Sequence, residues 1–170
     1  MTLQVVDSDF SKFVKEIYLS FKDLAETKGI SFDLIMKEAD IPLVFDRNKM
    51  EVVLFNLLSN AFKYTNNHIQ LRVSLERESI DHSSGNEVFT SYCKIEVIDN
   101  GTGMSQEVME RIFDRFYQLA NIESINLIGT GIGLALTKDI VELHHGSVEV
   151  SGEKGKGSVF MVKIPFGADH

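Results

Sequence analysis

Two segments of the chain alternate apolar and polar residues with a period of two. Ile69, Leu71, Val73 and Leu75 do so in one segment, and Cys93, Ile95 and Val97 in the other. This period puts each apolar set on one face of a strand, so the two belong to a sheet covered mainly on one side. Residues 76–91 between them are polar and include Gly85, which predicts a hairpin with a long loop. The cover has to come from helices. Phe10, Phe13, Val14, Ile17, Phe21, Leu24 and Ala25 recur at helical spacing between a capping Asp9 and Gly29. Asp46 caps a second helix with Met50, Val53, Leu54, Leu57, Leu58 and Ala61 inward. Ser105 opens a third, expected to reach about Gln118 with Val108, Met109, Ile112, Phe113 and Phe116 inward. Residues 119–131 read as irregular, and a fourth helix runs from about Gly131 to His145. Further strands are expected at 30–36, at 43–45 after Pro42, and at 147–151 and 157–165 around a turn with Gly152, Gly155 and Gly157. The pieces, about four helices and six strands, predict an α/β fold: a mixed, mostly antiparallel sheet with helices packed on one face.

At 170 residues the chain is expected to form one domain, 1–170. Its net charge of −8 and pI near 5.1 argue against a nucleic-acid or anionic-membrane surface. They leave an anionic ligand open, because local cations can outweigh the global sign. The single cysteine, Cys93, allows no internal disulfide framework or cysteine metal cluster and reads as a buried, inert thiol. No apolar run of about eighteen residues occurs and no signal peptide opens the chain, so a cytoplasmic setting is expected.

Five stretches carry chemistry. In "NLLSNAFKYT", Asn56, Asn60 and Lys63 fall within roughly 60° of one another on a helix and border its apolar face. Asn is a weak helix former and a half-buried amide must be satisfied, so this is a poor structural choice unless the stripe binds something. Asn carbonyls suit a hard divalent ion, and Lys suits phosphate oxygens. In "VIDNGTGM", Asp99 ends a strand ahead of Gly101 and Gly103. That is ordinary turn chemistry. It would also let a planar ring approach the backbone, with an acceptor-only carboxylate favouring the amine of adenine. In "GTGIGLAL", Gly129, Gly131 and Gly133 lead into a helix, whose N-terminal amides bind anions unless the glycines serve only as a hinge. In "FDRFYQ", Arg115 is free to clamp phosphate or to remain solvated. In "GKGSVFMVKIP", Gly157 and Ser158 open the last strand.

In this order, the five stretches resemble the ATP-binding catalytic domain of sensor histidine kinases, from the superfamily that includes DNA gyrase, certain chaperones and mismatch-repair ATPases. The resemblance spans nearly the whole chain. It implies a two-layer α/β sandwich of the Bergerat type and the cofactors ATP and Mg²⁺. It implies that Asn60 ligates Mg²⁺, with Asn56 beside the metal and its waters. Lys63 would contact phosphate, and Tyr64 would lie near the adenine or ribose. Asp99 would accept from the adenine amine, with Gly101 and Gly103 against the ring and Ser158 helping through water. Residues 119–131 would form an ATP lid, the nucleotide meeting Gly129, Thr130, Gly131, Ile132, Gly133 and Leu134, and Arg115 would stand near the γ-phosphate. Ser158 replaces the Thr common in the family and keeps its hydroxyl.

The implied activity is transfer of the γ-phosphate to a histidine in two-component signalling. Hydrolysing members of the superfamily use a Glu where this chain has Asn56, and an amide cannot take a proton from water. None of His68, His82, His144, His145 and His170 sits in the family's phosphoacceptor motif. The acceptor is therefore expected on a separate dimerisation domain, N-terminal in a parent that could be an inner-membrane sensor. A response-regulator receiver would act downstream, with no nucleic acid and no direct membrane contact by this domain. A noncatalytic ATP-gated switch and an ATP-hydrolysing relative are the alternatives.

Overall fold

In the computed structural model, which describes residues 1–81, 85, 88–115, 117 and 133–166, the two alternating segments pair with each other. His68–Asp81 (β4) and Val88–Asp99 (β5) run antiparallel, with Leu71 opposite Val97 and Val73 opposite Ile95. Ser31–Met36 (β2) adds parallel to β4 on one side. Gly157–Pro165 (β7) and then Ser147–Glu153 (β6) add antiparallel on the other. The mixed five-stranded sheet thus has the order β2-β4-β5-β7-β6. One face is apolar: Ile69, Leu71, Val73, Cys93, Ile95, Val97, Phe160, Val162 and Ile164 are all buried. Arg72, Lys94, Glu96 and Lys163 on the other face are exposed or half-buried. The helices Phe10–Lys28 (α1), Arg47–Tyr64 (α2) and Gly133–Leu143 (α4) share one core with the apolar face. Burial pushes the Cys93 thiol up to about 12, with Glu38 adding to the shift, so the thiol stays protonated and inert.

Three expectations change. The hairpin loop is shorter than 76–91, because β4 continues to Asp81 and β5 begins at Val88. The paired ends run past β2, which stops opposite Val73, and past β7, which stops opposite Tyr92. A ribbon beyond the reach of its sheet neighbours has little reason to alternate apolar and polar residues, and even Leu75 is exposed there. Among the described residues there are seven strands where six were expected. Val6–Asp9 (β1) pairs with Pro42–Phe45 (β3) in a separate two-stranded sheet, and its sequence VDSD lacks an apolar alternation. The third helix, Gln106–Arg111 (α3), is also shorter than expected. After it, Asp114 N–H donates to Arg111 O and Tyr117 N–H to Asp114 O, so the backbone tightens into turns. Ile112 is buried and Phe113 packs edge-on against Phe160 at 6.1 Å, which shows that these apolar residues anchor a turn, not a helix. Phe116 and Gln118 lie outside the described residues.

The caps are as expected at Asp9, Asp46 and Ser105, and Gly29 ends α1 at φ 68°. Asp46 does more than cap. It is 2% exposed, and its carboxylate accepts from Gln4 N–H at 2.7 Å, Lys49 N–H at 3.0 Å and the Lys49 ammonium at 3.3 Å. Burial alone would raise this carboxyl, but those donors hold it below its usual 3.8. A folded value below the unfolded one adds stability that is complete above 3.8 and is lost as pH falls through the folded value. Asp46→Ala is therefore expected to cost about 2 kcal/mol in urea denaturation at neutral pH. The gap between variant and wild type should close progressively in acid.

Candidate functional site

Asn56, Asn60 and Lys63 lie along α2 at the spacing read from the sequence, the two amides half-buried and the ammonium exposed. Asn56 Nδ2 donates to Gly133 O at 3.0 Å and to Thr137 Oγ1 at 3.3 Å, which fastens α2 to the first turn of α4. At the far end of the helix pair, the N–H of Asp46 donates to His144 Nε2 at 3.0 Å, and His144 Nδ1 donates to Ile140 O at 2.9 Å. An amide N–H only donates and a carbonyl only accepts, so this imidazole is neutral with its proton on Nδ1. The two helices therefore run antiparallel, and the amide-rich N-terminus of α4 meets the Asn56–Lys63 stripe.

Two cavities open along that stripe. The larger, about 340 Å³, lies between α2, the turn after β5, α3 and the β6–β7 turn. Its apolar lining is Met104, Val108 and Ile112; its polar groups are Asn60, Tyr64, Thr102, Ser105, Lys154 and Ser158. Size and lining are those of a small-molecule site. The smaller, about 100 Å³, is bounded by Asn56, Ser59, Asn60, Lys63, Gly133 and Leu134. Asn60 borders both. Tyr64 is half-buried, and burial raises its phenol to about 12, so it offers a neutral O–H.

Asp99 reaches the larger cavity through its partner Ser158, which lines it. It is 6% exposed; Oδ1 accepts from Gly101 N–H at 2.8 Å and Oδ2 from Ser158 Oγ–H at 2.7 Å. Each oxygen keeps acceptor capacity for a further donor. The two glycines of this turn make room for the protein's own backbone. A Cβ on Gly101 would stand 1.7 Å from the Tyr64 carbonyl oxygen, and one on Gly103, at φ 64°, 2.0 Å from that of Glu153.

The structure thus brings together Asn56, Asn60, Lys63, Tyr64, Gly103, Gly133, Leu134 and Ser158 on the two linings, with Asp99 and Gly101 directly behind. Arg115 is not on either lining; its guanidinium pairs with Asp139 of α4 at 3.2 Å. Gly129, Thr130, Gly131 and Ile132, with the expected lid 119–131, lie outside the described residues. Sequence reasoning missed Lys154, Thr102, Ser105 and the apolar wall from α3. Thr102 was legible inside the Asp99–Gly103 motif, but Lys154 had no spacing signal. It reaches the cavity because Gly155 N–H donates to Thr102 O at 2.6 Å, docking one turn on the other. Among the described residues no cluster of three or more His, Cys, Asp or Glu could hold a metal ion. A divalent ion here would depend on amide, water and ligand oxygens.

The sequence pattern of the family described as histidine kinase-, DNA gyrase B-, and HSP90-like ATPase matches residues 45–168. Histidine kinase P4 of Formosa agariphila is 33% identical over 99% of this chain and 12% of its own length. Sensor histidine kinase TmoS of Ectopseudomonas mendocina is 36% identical over 99% of this chain and 16% of its own. The chain thus spans less than a fifth of these curated relatives. Full-length ShkA in complex with AMPPNP shares the fold with TM-score 0.77 at 24% identity, over 98% of this chain and 32% of that one. The nucleotide-free catalytic domain of histidine kinase ThkA gives 0.75 at 22% identity, over 96% and 99%. Together with the paired cavities beside the Asn56–Lys63 stripe, these matches show that the chain belongs to the histidine kinase-, DNA gyrase B-, and HSP90-like ATPase family and is homologous to sensor histidine kinase catalytic domains.

Proposed function

We propose that this chain binds Mg-ATP and passes the γ-phosphate to a histidine on a separate helical dimerisation domain, in two-component signal transduction. The observation that carries this reading is the position of Asn60. It borders a chamber of nucleoside size, backed by Asp99, and a small notch holding Lys63 and the start of α4. A base and a polyphosphate fit those two environments in that order. Asp99 accepts from the base amine, while Lys63 and the α4 amides meet phosphate oxygens.

The donor set fits Mg²⁺, which takes few protein ligands and keeps phosphate and water oxygens around it. Asn60 would hold it through its amide oxygen, and Asn56 Oδ1 would accept from its waters. When bound, the ion neutralises charge on the phosphates. The protein's part is positioning, since phosphoryl transfer needs little covalent work from it. Arg115 can join only by leaving Asp139, and an exposed pair of this kind holds weakly. Asn56 cannot serve as a base toward water, which favours transfer over hydrolysis. Among the described residues no helix is long and apolar enough to cross a membrane. The parent, an inner-membrane sensor, would carry the acceptor domain elsewhere in its chain and hold this domain on the cytoplasmic side, with a response-regulator receiver as the next acceptor.

Asp99→Asn is expected to weaken ATP binding about 10- to 100-fold, the range for losing a charge-assisted hydrogen bond. Its melting temperature should stay near wild type, since an amide can still accept from Gly101 and donate to Ser158. Calorimetry that finds unchanged affinity would remove Asp99 from the base site. Asn60→Ala should abolish the gain in ATP affinity that Mg²⁺ gives the wild type, read by titrating ATP with and without the ion. Incubating the chain with γ-labelled ATP and its cognate helical domain should place label on histidine. Binding without transfer would favour an ATP-gated switch, and rapid phosphate release alone a hydrolase.

A further inference from the structure

Asn100 follows Asp99 but faces the opposite way. Asp99 closes its own turn, accepting from Gly101 N–H two residues on, which is the usual work of an Asp or Asn in a tight turn. The Asn100 side chain instead reaches the loop that joins α2 to β4. Its Oδ1 accepts from His68 N–H at 3.1 Å and Asn67 N–H at 3.2 Å, and lies 3.0 Å from Thr65 Oγ1, whose one proton is shared with His68 O at 2.9 Å. Its Nδ2 donates to Asn67 Oδ1 at 2.7 Å. Its main chain joins in, the carbonyl accepting from Asn66 Nδ2 at 3.0 Å and the N–H donating to His68 O at 3.3 Å. Thr65 is the C-cap of α2, directly after Tyr64 and five residues after Asn60.

Asn100 borders neither cavity. Its bonds nonetheless join the two walls of the site: the turn with Asp99 and the helix end with Asn60, Lys63 and Tyr64. Beside the close approach of Gly101 to the Tyr64 carbonyl, Asn100 fastens the group that meets the base to the groups that meet the phosphates. We propose that Asn100 is a positioning residue for base selectivity, holding the Asp99 carboxylate at the angle that accepts an adenine amine and opposes a guanine carbonyl. This rests on the nucleotide reading of the site.

The test compares ATP and GTP affinities, by calorimetry, for the wild-type chain, Asn100→Ala, Thr65→Val and the double variant. Thr65→Val is nearly isosteric and removes a donor to Asn100 together with the hydroxyl's own contacts to His68 O and from His68 N–H, so it serves should Asn100→Ala fold poorly. Asn100→Ala should bind ATP about tenfold more weakly, the equivalent of one decade in Kd. The ATP-to-GTP affinity ratio should fall in both single variants. Because only folded molecules bind, that ratio does not move with a simple loss of stability. The double variant should lose less than the sum of the two single variants, since both changes break one clamp. Wild-type ATP binding with an unchanged ratio in both variants, or strictly additive losses, overturns the inference and leaves the site reading intact. Failure of the wild type to bind ATP overturns both.

Discussion

The site depends on how closely the end of a helix can approach the end of a strand. Gly101 rests against the Tyr64 carbonyl, where a Cβ would stand 1.7 Å from the oxygen. A residue with a Cβ would drive α2 and the β5 turn apart. Asn60 lies about one helical turn before Tyr64, and Asp99 two residues before Gly101. The approach therefore sets the distance between the amide stripe and the carboxylate, and with it the width of the larger cavity. The β6–β7 turn docks on the same backbone, Gly155 to Thr102, and carries Lys154 and Ser158 to the far wall.

Electrostatics follow from that assembly. The chain carries a net charge of −8, which opposes a polyanion at long range. The cavity linings do not share that sign. Among the described residues, Lys154 is the charged side chain on the larger lining and Lys63 the one on the smaller, and neither lining includes a carboxylate. Asp99, behind the chamber, is already engaged by Ser158 and Gly101. The positive end of α4 adds to the same field, and fixed local charges outweigh screened distant ones.

What was legible in the sequence had a period or a motif to carry it. The two alternating segments became the centre of the sheet, and the apolar faces of α1 and α2 became its cover, because burial on one side imposes a regular pattern. Asn60 and Lys63 were legible as polar groups beside a core and Asp99 as a carboxylate before bare backbone, whereas Ser158 was legible only through the family resemblance. What was missed lacks a periodic burial signal. β1 is held by backbone bonds to β3 and by the Asp9 carboxylate accepting from Ser11 and Ile41. The ends of β4 and β5 pair beyond their sheet neighbours. The apolar residues after α3 anchor a turn whose i-to-i+3 bonds leave no trace in an apolar pattern. Lys154 and Asn100 act through contacts between distant turns, which no local window contains.

Asn56 shows how structure narrows chemistry. Its amide nitrogen donates to a backbone carbonyl, Gly133 O, and to Thr137 Oγ1, which itself donates to that carbonyl at 2.8 Å. A carboxylate at this position could not donate to Gly133 O; it would set acceptor against acceptor at the junction of α2 and α4. The same junction places the first turn of α4 beside Lys63. The residue type that secures what we propose as the phosphate end of the site is thus one that cannot abstract a proton from water. In this chain the packing of α2 on α4 and the lack of a base at position 56 have the same cause.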